Sequence, residues 1–260
     1  MCGSCGCGHE EVHLDGDALG DHAHDHAHAH DHAHDHAHDH ARASRVIRVE
    51  HDLLAKNDAY ATRNREWLAA RRIAAVGLLA SPGAGKTTLL EATVRRLGDR
   101  LPLAVIEGDP RTSRDAERLR TLGVPALQLN TGRGCHLDAH MVGHALERLP
   151  PLEGGLLFIE NVGNLICPAL FALGETRRVV LLSVTEGDDK PEKYPEAVAC
   201  ADLLVLSKLD LLPHVPFDPE RCLSDARRVR PRLEALCLSA LTGDGMDAWC
   251  DWLVRLARAA

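Results

Sequence analysis

Three stretches of the chain place reactive residue types at spacings that suit chemistry. The first, "ASPGAGKTTLLEATVRRL" (80–97), reads as a strand end, a glycine-rich turn and a helix start. Gly83 and Gly85, with Ala84 between them, let backbone N–H groups turn inward around phosphate oxygens. Lys86 can reach β- and γ-phosphates, Thr87 can offer its hydroxyl to Mg²⁺, and Thr88 adds a contact at the helix N-terminus. Ala80 stands where the common phosphate-loop pattern has Gly, which leaves this chemistry intact. The second stretch supplies acids at strand ends. Asp109 in "VIEGD" suits Mg²⁺, directly or through water, and Glu160 in "LLFIENVG" suits the Mg²⁺ water shell. Gly163, three residues after Glu160, can present its N–H to a γ-phosphate. Alone, Asp109 would read equally as a helix cap; beside a phosphate loop the functional reading is favoured.

The third stretch, "TGRGCHLDAH", sets Cys135 and His136 side by side before a helix. Adjacent thiolate and imidazole suit a borderline-soft ion, Zn²⁺ or Ni²⁺, and the helix N-terminus favours the thiolate. A closed site needs another ligand, and Cys167 in "ENVGNLICPA" is the candidate. It lies four residues beyond Gly163, on a segment that would shift when a γ-phosphate is lost. Cys200, Cys222, Cys237 and Cys250 read as small buried hydrophobes. His140 and His144 share a helix face with His136, but a solvated face is the commoner outcome and they are not assigned.

The N-terminus adds another ligand set. Cys2, Cys5 and Cys7 in "MCGSCGCGHE" fit an iron–sulfur fragment, a zinc knuckle, a mobile end, or three thiolates wrapping a square-planar Ni²⁺. His22, His24, His26, His28, His30, His32, His34, His36, His38 and His40 then alternate with Asp and Ala. Neutral imidazoles on a tether suit several weakly and interchangeably bound ions. A purification tag is the bland alternative, although tags rarely alternate this way or follow a cysteine cluster.

The elements that position these residues follow from hydrophobic pattern. Residues 1–43 have almost nothing bulky and apolar, and composition predicts a disordered metal-binding tail. A helical pattern over 44–71 predicts a helix packed on the main domain, which occupies 72–260. There, apolar runs at 73–80, 103–107, 126–129, 156–160, 179–184, 203–207 and 235–239 alternate with amphipathic stretches at 86–97, 113–122, 137–149, 191–199, 219–229 and 245–257. That alternation predicts an α/β fold, a doubly wound, mostly parallel sheet of the P-loop NTPase type.

Charge and cysteine usage narrow the function classes. The net charge is −8, yet residues 1–40 hold nine acids and no Lys or Arg, so the body is close to neutral. No global basic field favours nucleic acid or an anionic membrane. Nine cysteines, an odd number, with no signal-peptide pattern argue against a disulfide framework and for the cytoplasm. No apolar run approaches the about 18 residues that suggest a membrane span.

Base recognition is read from two short elements. "LLVLSKLD" resembles the Asn-Lys-x-Asp element of GTPases, with Ser207 in the Asn position. Asp210 can accept from guanine N1–H and N2–H₂, and Lys208 can lay its stem over the base. "LSALTGDG" resembles the Ser-Ala element whose backbone contacts guanine O6, here Ser239, Ala240 and Leu241. Guanine is therefore expected over adenine.

Together "CGSCGCG", "SPGAGKTTLL", "VIEGD", "GRGCHLDAHMV", "IENVGNLICPA", "VTEGDDKPEKYP", "SKLD" and "SALTGDG" resemble the nickel-incorporation GTPases of hydrogenase maturation, the HypB family. The resemblance covers about 45–260 and the N-terminal cysteines. It implies a G domain of the signal-recognition-particle/MinD class, GTP/GDP binding with Mg²⁺, GTP hydrolysis, and Ni²⁺ delivery to the [NiFe]-hydrogenase large subunit alongside accessory maturation proteins. It also implies a GTP-linked homodimer, a high-affinity nickel site at Cys2, Cys5 and Cys7, and an interface metal site at Cys135, His136 and Cys167. The urease accessory GTPase carries Cys-Pro-His where this chain has Cys167-Pro168-Ala169. With no evident arginine finger or water-orienting glutamine, turnover is expected to be slow. A nickel or zinc store and a small-molecule kinase are the alternatives from other classes.

Overall fold

The stretch Ala74–Ala80, "AAVGLLA", is buried at every position, and such a strand needs neighbours on both sides and cover on both faces. The computed structural model describes residues 13–14, 17–18, 37–109, 114–132 and 134–260, with side chains from residue 52 onward. Its strands are β1 (His13–Leu14), β2 (Asp17–Ala18), β3 (Ala74–Ala80), β4 (Leu103–Asp109), β5 (Ala126–Asn130), β6 (Leu156–Glu160), β7 (Arg177–Ser183), β8 (Leu203–Ser207) and β9 (Glu234–Cys237). The sheet order is β2-β1-β5-β4-β6-β3-β7-β8-β9. Every pairing from β5 to β9 is parallel. Antiparallel pairing is confined to β1 and β2 at one edge.

Helices cover both faces: α1 (Ala37–Ala70), α2 (Lys86–Leu97), α3 (Arg114–Arg120), α4 (Ala139–Arg148), α5 (Cys167–Leu170), α6 (Lys190–Lys193), α7 (Pro195–Cys200), α8 (Pro219–Val229) and α9 (Met246–Arg258). A 3₁₀ turn spans Leu209–His214. Strand residues alternate between faces. Val76, Leu78, Val105, Phe158 and Leu181 pack with α2, α3 and α9 through Leu90, Leu119 and Trp249. On the opposite face, Ile106 and Ile159 meet α1 and α4 through Leu68 and Val142. Farther along that face Val180, Leu182 and Leu204 meet α7 and α8 through Val198 and Cys222. The sheet is doubly wound, as the alternating apolar runs predict.

Boundaries differ from the sequence reading in informative places. Helix α1 begins at Ala37, ahead of the expected 44, because Ala41, Arg42 and Ala43 are all helix formers. The rest of 1–43, apart from β1 and β2, lies outside the described residues. The helix expected over 191–199 is two pieces, α6 and α7, parted at Tyr194 before Pro195. Cys237 is exposed rather than buried, since β9 is an edge strand and Cys237 is its last residue. Cys222 and Cys250 are buried and Cys200 is half-buried.

Two asparagines of α1 brace the loops near the candidate metal ligands. Asn64 Nδ2 donates to Ala139 O at 2.7 Å and to Leu173 O at 2.9 Å. Asn57 Oδ1 accepts from Ala139 N at 2.9 Å, and its Nδ2 donates to Ala172 O at 2.8 Å. The segments after His136 and after Cys167 are thus fastened to one helix.

Candidate functional site

The parallel strands end at one edge of the sheet, the place where open α/β sheets bind ligands. Gly83 and Gly85 both have positive φ, 76° and 100°, in the turn between β3 and α2. A cavity of about 550 Å³ opens there, lined by Gly83, Gly85, Lys86, Thr87 and Thr88, by Asp109 and by Glu160 and Gly163. Lys208 closes one side, its Nζ donating to Gly83 O at 2.6 Å. Gly163 sits so close to Pro82 that a Cβ would lie 2.9 Å from the proline Cα, which couples the segment after β6 to the phosphate loop.

Inside the cavity Thr87 Oγ1 donates to Glu160 Oε1 at 3.2 Å, and Lys86 Nζ lies 4.0 Å from the same oxygen. Glu107, which sequence reasoning did not single out, is register partner to Glu160 across β4 and β6. Burial, with Glu160, Asp115 and Asp109 nearby, pushes the Glu107 carboxyl up to about 8. Burial likewise raises Glu160 to about 7 against the opposing pull of Lys86. One oxygen of each, Oε2, is buried without a hydrogen-bond partner. Hard oxygen donors with unfilled lone pairs at a phosphate loop fit Mg²⁺. Arg118 also lines the cavity, held by Glu91 through bonds of 2.9 and 3.0 Å and by Asp115.

Of the base-recognition residues, Lys208 lines that cavity, whereas Asp210, Ser239, Ala240 and Leu241 are not among its lining residues. Ser207 is buried, and its hydroxyl donates to Ala84 O at 2.8 Å, tying the end of β8 to the phosphate loop. Ala84 itself is fully buried and contributes through its carbonyl. Ser239 Oγ donates to Asp210 Oδ1 at 2.5 Å, which joins the two elements that the sequence reading assigns to guanine. Leu241 is 81% exposed.

Cys135, His136 and Cys167 converge: their ligand atoms all lie within 4.8 Å of one another, each residue half-buried. Among the described residues no other group of three such side chains does so. His136 stacks on Phe171, ring centroids 4.2 Å apart, and burial lowers its pKa, which favours the neutral ring that a ligand needs. Cys135 Sγ is 3.5 Å from His136 Nδ1. Soft sulfur and imidazole donors with a position left open fit Ni²⁺ or Zn²⁺. His140 and His144 pair separately on α4, with Nε2 atoms 3.1 Å apart. Cys2, Cys5, Cys7 and His22 to His36 lie outside the described residues, and His38 and His40 fall at the start of α1.

The segment linking pocket to cluster is short. Glu160, Asn161, Val162 and Gly163 line the cavity and the chain then runs directly to Cys167. The family model for the CobW/HypB/UreG nucleotide-binding domain matches residues 74–236. The hydrogenase maturation factor HypB of Azotobacter vinelandii is 59% identical over 82% of this chain and 70% of its own length. The chain belongs to the HypB family. Two solved HypB structures share the fold. The Archaeoglobus fulgidus protein is 42% identical with a TM-score of 0.73, covering 78% of this chain and 100% of that one. The Helicobacter pylori HypB, solved in complex with nickel, is 36% identical with a TM-score of 0.72, covering 78% and 96%. Membership makes this a nucleotide-binding chain of hydrogenase maturation. No helix among the described residues is long and apolar enough to cross a membrane.

Proposed function

We propose that the chain is a nickel metallochaperone whose GTP binding and slow hydrolysis gate nickel transfer into the [NiFe]-hydrogenase large subunit. The observation that carries this reading is the run from Glu160 and Gly163 in the pocket to Cys167 in the metal cluster. A shift at the pocket end of so short a segment changes the distance between Cys167 and the pair Cys135–His136. The nickel complex of the Helicobacter pylori relative supports Ni²⁺ as the cargo, and Zn²⁺ suits the same donors.

The chemistry is positioning and charge neutralisation. Lys86 and the N–H groups of Gly83 and Gly85 hold the β- and γ-phosphates. Thr87 and Asp109 would hold Mg²⁺ and Glu160 its water shell, and the ion would supply neutralisation of charge developing on the phosphate oxygens. Gly163 faces the γ-phosphate, and Asp210 with Ser239 selects guanine. Ser207, in the Asn position, ties the end of β8 to the phosphate loop through its bond to Ala84 O. Three ligands leave a coordination position for the recipient or for a second copy. The exposed side chains of Ile166 and Leu170 beside Cys167, 57% and 55% accessible, support a homodimer through this face. Cys2, Cys5, Cys7 and the histidines from His22 to His40 serve capture and storage.

A urease-type role fits less well. Ala169, where that family has its histidine, is buried, and its carbonyl accepts from Arg178 Nη1 at 3.1 Å. Competition of GTP against ATP for the purified chain tests the nucleotide assignment: GTP is expected to win, and tighter ATP binding overturns it. Deleting residues 1–43 separates chaperone from store. Delivery with nickel in excess is expected to survive, and its loss would favour the store.

A further inference from the structure

We propose that Asn161 is the positioning residue that passes the state of the nucleotide to the metal cluster, one end of its side-chain amide holding the metal loop and the other meeting the terminal phosphate. This rests on the reading above, that a nucleoside triphosphate occupies the cavity.

Asn161 follows Glu160 at the end of β6 and is 1% exposed. Strand alternation sends Glu160 toward α2 and leaves Asn161 on the opposite face, toward α4. There its Oδ1 accepts from Leu137 N and from Val162 N, each at 2.9 Å. Both partners are backbone donors, so the oxygen end of the amide must face them, which fixes its orientation. Nδ2 therefore points elsewhere, and it is buried without a hydrogen-bond partner. A buried amide donor left unpaired is costly, and Asn161 lines the nucleotide cavity together with Gly163 and Lys86. Nδ2 is covered, so a phosphate oxygen becomes its acceptor when the side chain shifts toward a bound nucleotide.

The other end is fastened to the metal loop. Leu137 adjoins His136, and its fully buried side chain packs where a Cβ on Gly108 would lie 2.7 Å from Leu137 Cγ. Val162 adjoins Gly163, which is pressed on the phosphate loop. The Asn161 backbone N–H stays bonded to Leu78 O at 3.1 Å, so the side chain can respond without β6 moving. One carbonyl oxygen thus joins the segment bearing Cys135 and His136 to the segment leading to Cys167. Loss of the terminal phosphate removes the Nδ2 acceptor, and the amide then answers to Leu137 and Val162 alone.

The substitution Asn161→Asp keeps an acceptor for both N–H groups and replaces the donor with an oxygen. The full chain is titrated with fluorescent GDP and with a non-hydrolysable GTP analogue, with Mg²⁺, with and without Ni²⁺. Expected for Asn161→Asp are GDP binding within about twofold of wild type and analogue binding about tenfold or more weaker. Nickel should also cease to alter analogue affinity, as it should in Cys135→Ala. A wild-type ratio of analogue to GDP affinity in Asn161→Asp overturns this inference alone. Failure of the wild type to bind either nucleotide sinks the reading above and this inference with it. Asn161→Ala also lacks the donor, so it repeats the test should the aspartate variant not fold. Having lost the acceptor too, it should bind nickel more weakly at the internal cluster even with GDP. That affinity is read from the thiolate-to-nickel charge-transfer band in a Cys2→Ser, Cys5→Ser, Cys7→Ser background. Unchanged nickel affinity in Asn161→Ala overturns the role given to Oδ1.

Discussion

The nucleotide pocket and the metal cluster lie at the same edge of the sheet but are built by different means. The pocket is made of strand ends and a tight turn, with Lys86, Thr87, Glu107 and Glu160 all nearly buried. Its geometry is fixed by the register of β3, β4 and β6. The cluster takes three half-buried ligands from two connecting segments, and those segments are held by side-chain amides: Asn57, Asn64 and Asn161. A sheet edge resists displacement, whereas loops tied by a few hydrogen bonds have more than one accessible arrangement. On the function proposed above, this difference suits the pocket to reading the nucleotide and the cluster to responding.

The largest expected effect separates the two regions outright. Lys86→Ala should lower GTP hydrolysis by about 10³-fold and leave nickel affinity of the nucleotide-free chain unchanged, as steady-state assays and metal titration will show. A parallel loss of nickel binding would mean the regions are not separable. The converse variant, Cys135→Ala, should weaken internal nickel binding by at least about 100-fold while metal-free hydrolysis stays within about twofold. Next comes base selection. Asp210→Asn should weaken GTP binding about tenfold or more, and unchanged GTP affinity would remove Asp210 from the base site.

A pH dependence should mark the pocket, with a sign opposite to that of the cluster, where burial lowers His136 and acid therefore costs stability. Glu107 and Glu160 bind protons more readily in the folded chain than in an unfolded one, because burial and neighbouring carboxylates favour the neutral form. The stability they supply is complete below the ordinary value of 4.5 and is lost as pH rises through about 7 and about 8. The Tm of nucleotide-free, metal-free chain should therefore fall by several degrees between pH 5 and 8. Glu107→Gln should flatten that fall, and an equally steep profile in the variant would show that other groups cause it. The smallest effect is at the hinge between β8 and the phosphate loop. Ser207→Ala should cost about 1 kcal/mol of stability by denaturant titration, and no change would discount its bond to Ala84.

Local chemistry was legible in the sequence, and cross-strand chemistry was not. The phosphate loop, Asp109, Glu160 and the pair Cys135–His136 are contiguous motifs whose roles depend on their own neighbours. The alternation of apolar runs likewise foretold the doubly wound sheet, since buried parallel strands read as near-continuous apolar runs, their few polar residues falling toward the strand ends. Glu107 and Asn161 stood inside quoted motifs and went unnoticed. The importance of Glu107 comes from register with β6, and that of Asn161 from a bond to Leu137, 24 residues away in sequence. Strand parity held a usable signal. Glu107 and Glu160 share parity with the residues facing α2, whereas Asn161 has the opposite parity. The short helix α5 was missed because four residues carry no periodicity.

The central claim is that nucleotide state sets nickel affinity at Cys135, His136 and Cys167. Its most direct test is a nickel titration of the full chain carrying Cys2→Ser, Cys5→Ser and Cys7→Ser. The thiolate-to-nickel band is followed with GDP and then with a non-hydrolysable GTP analogue. The account predicts affinities that differ by about 5- to 150-fold between the two states, and equal affinities would contradict it.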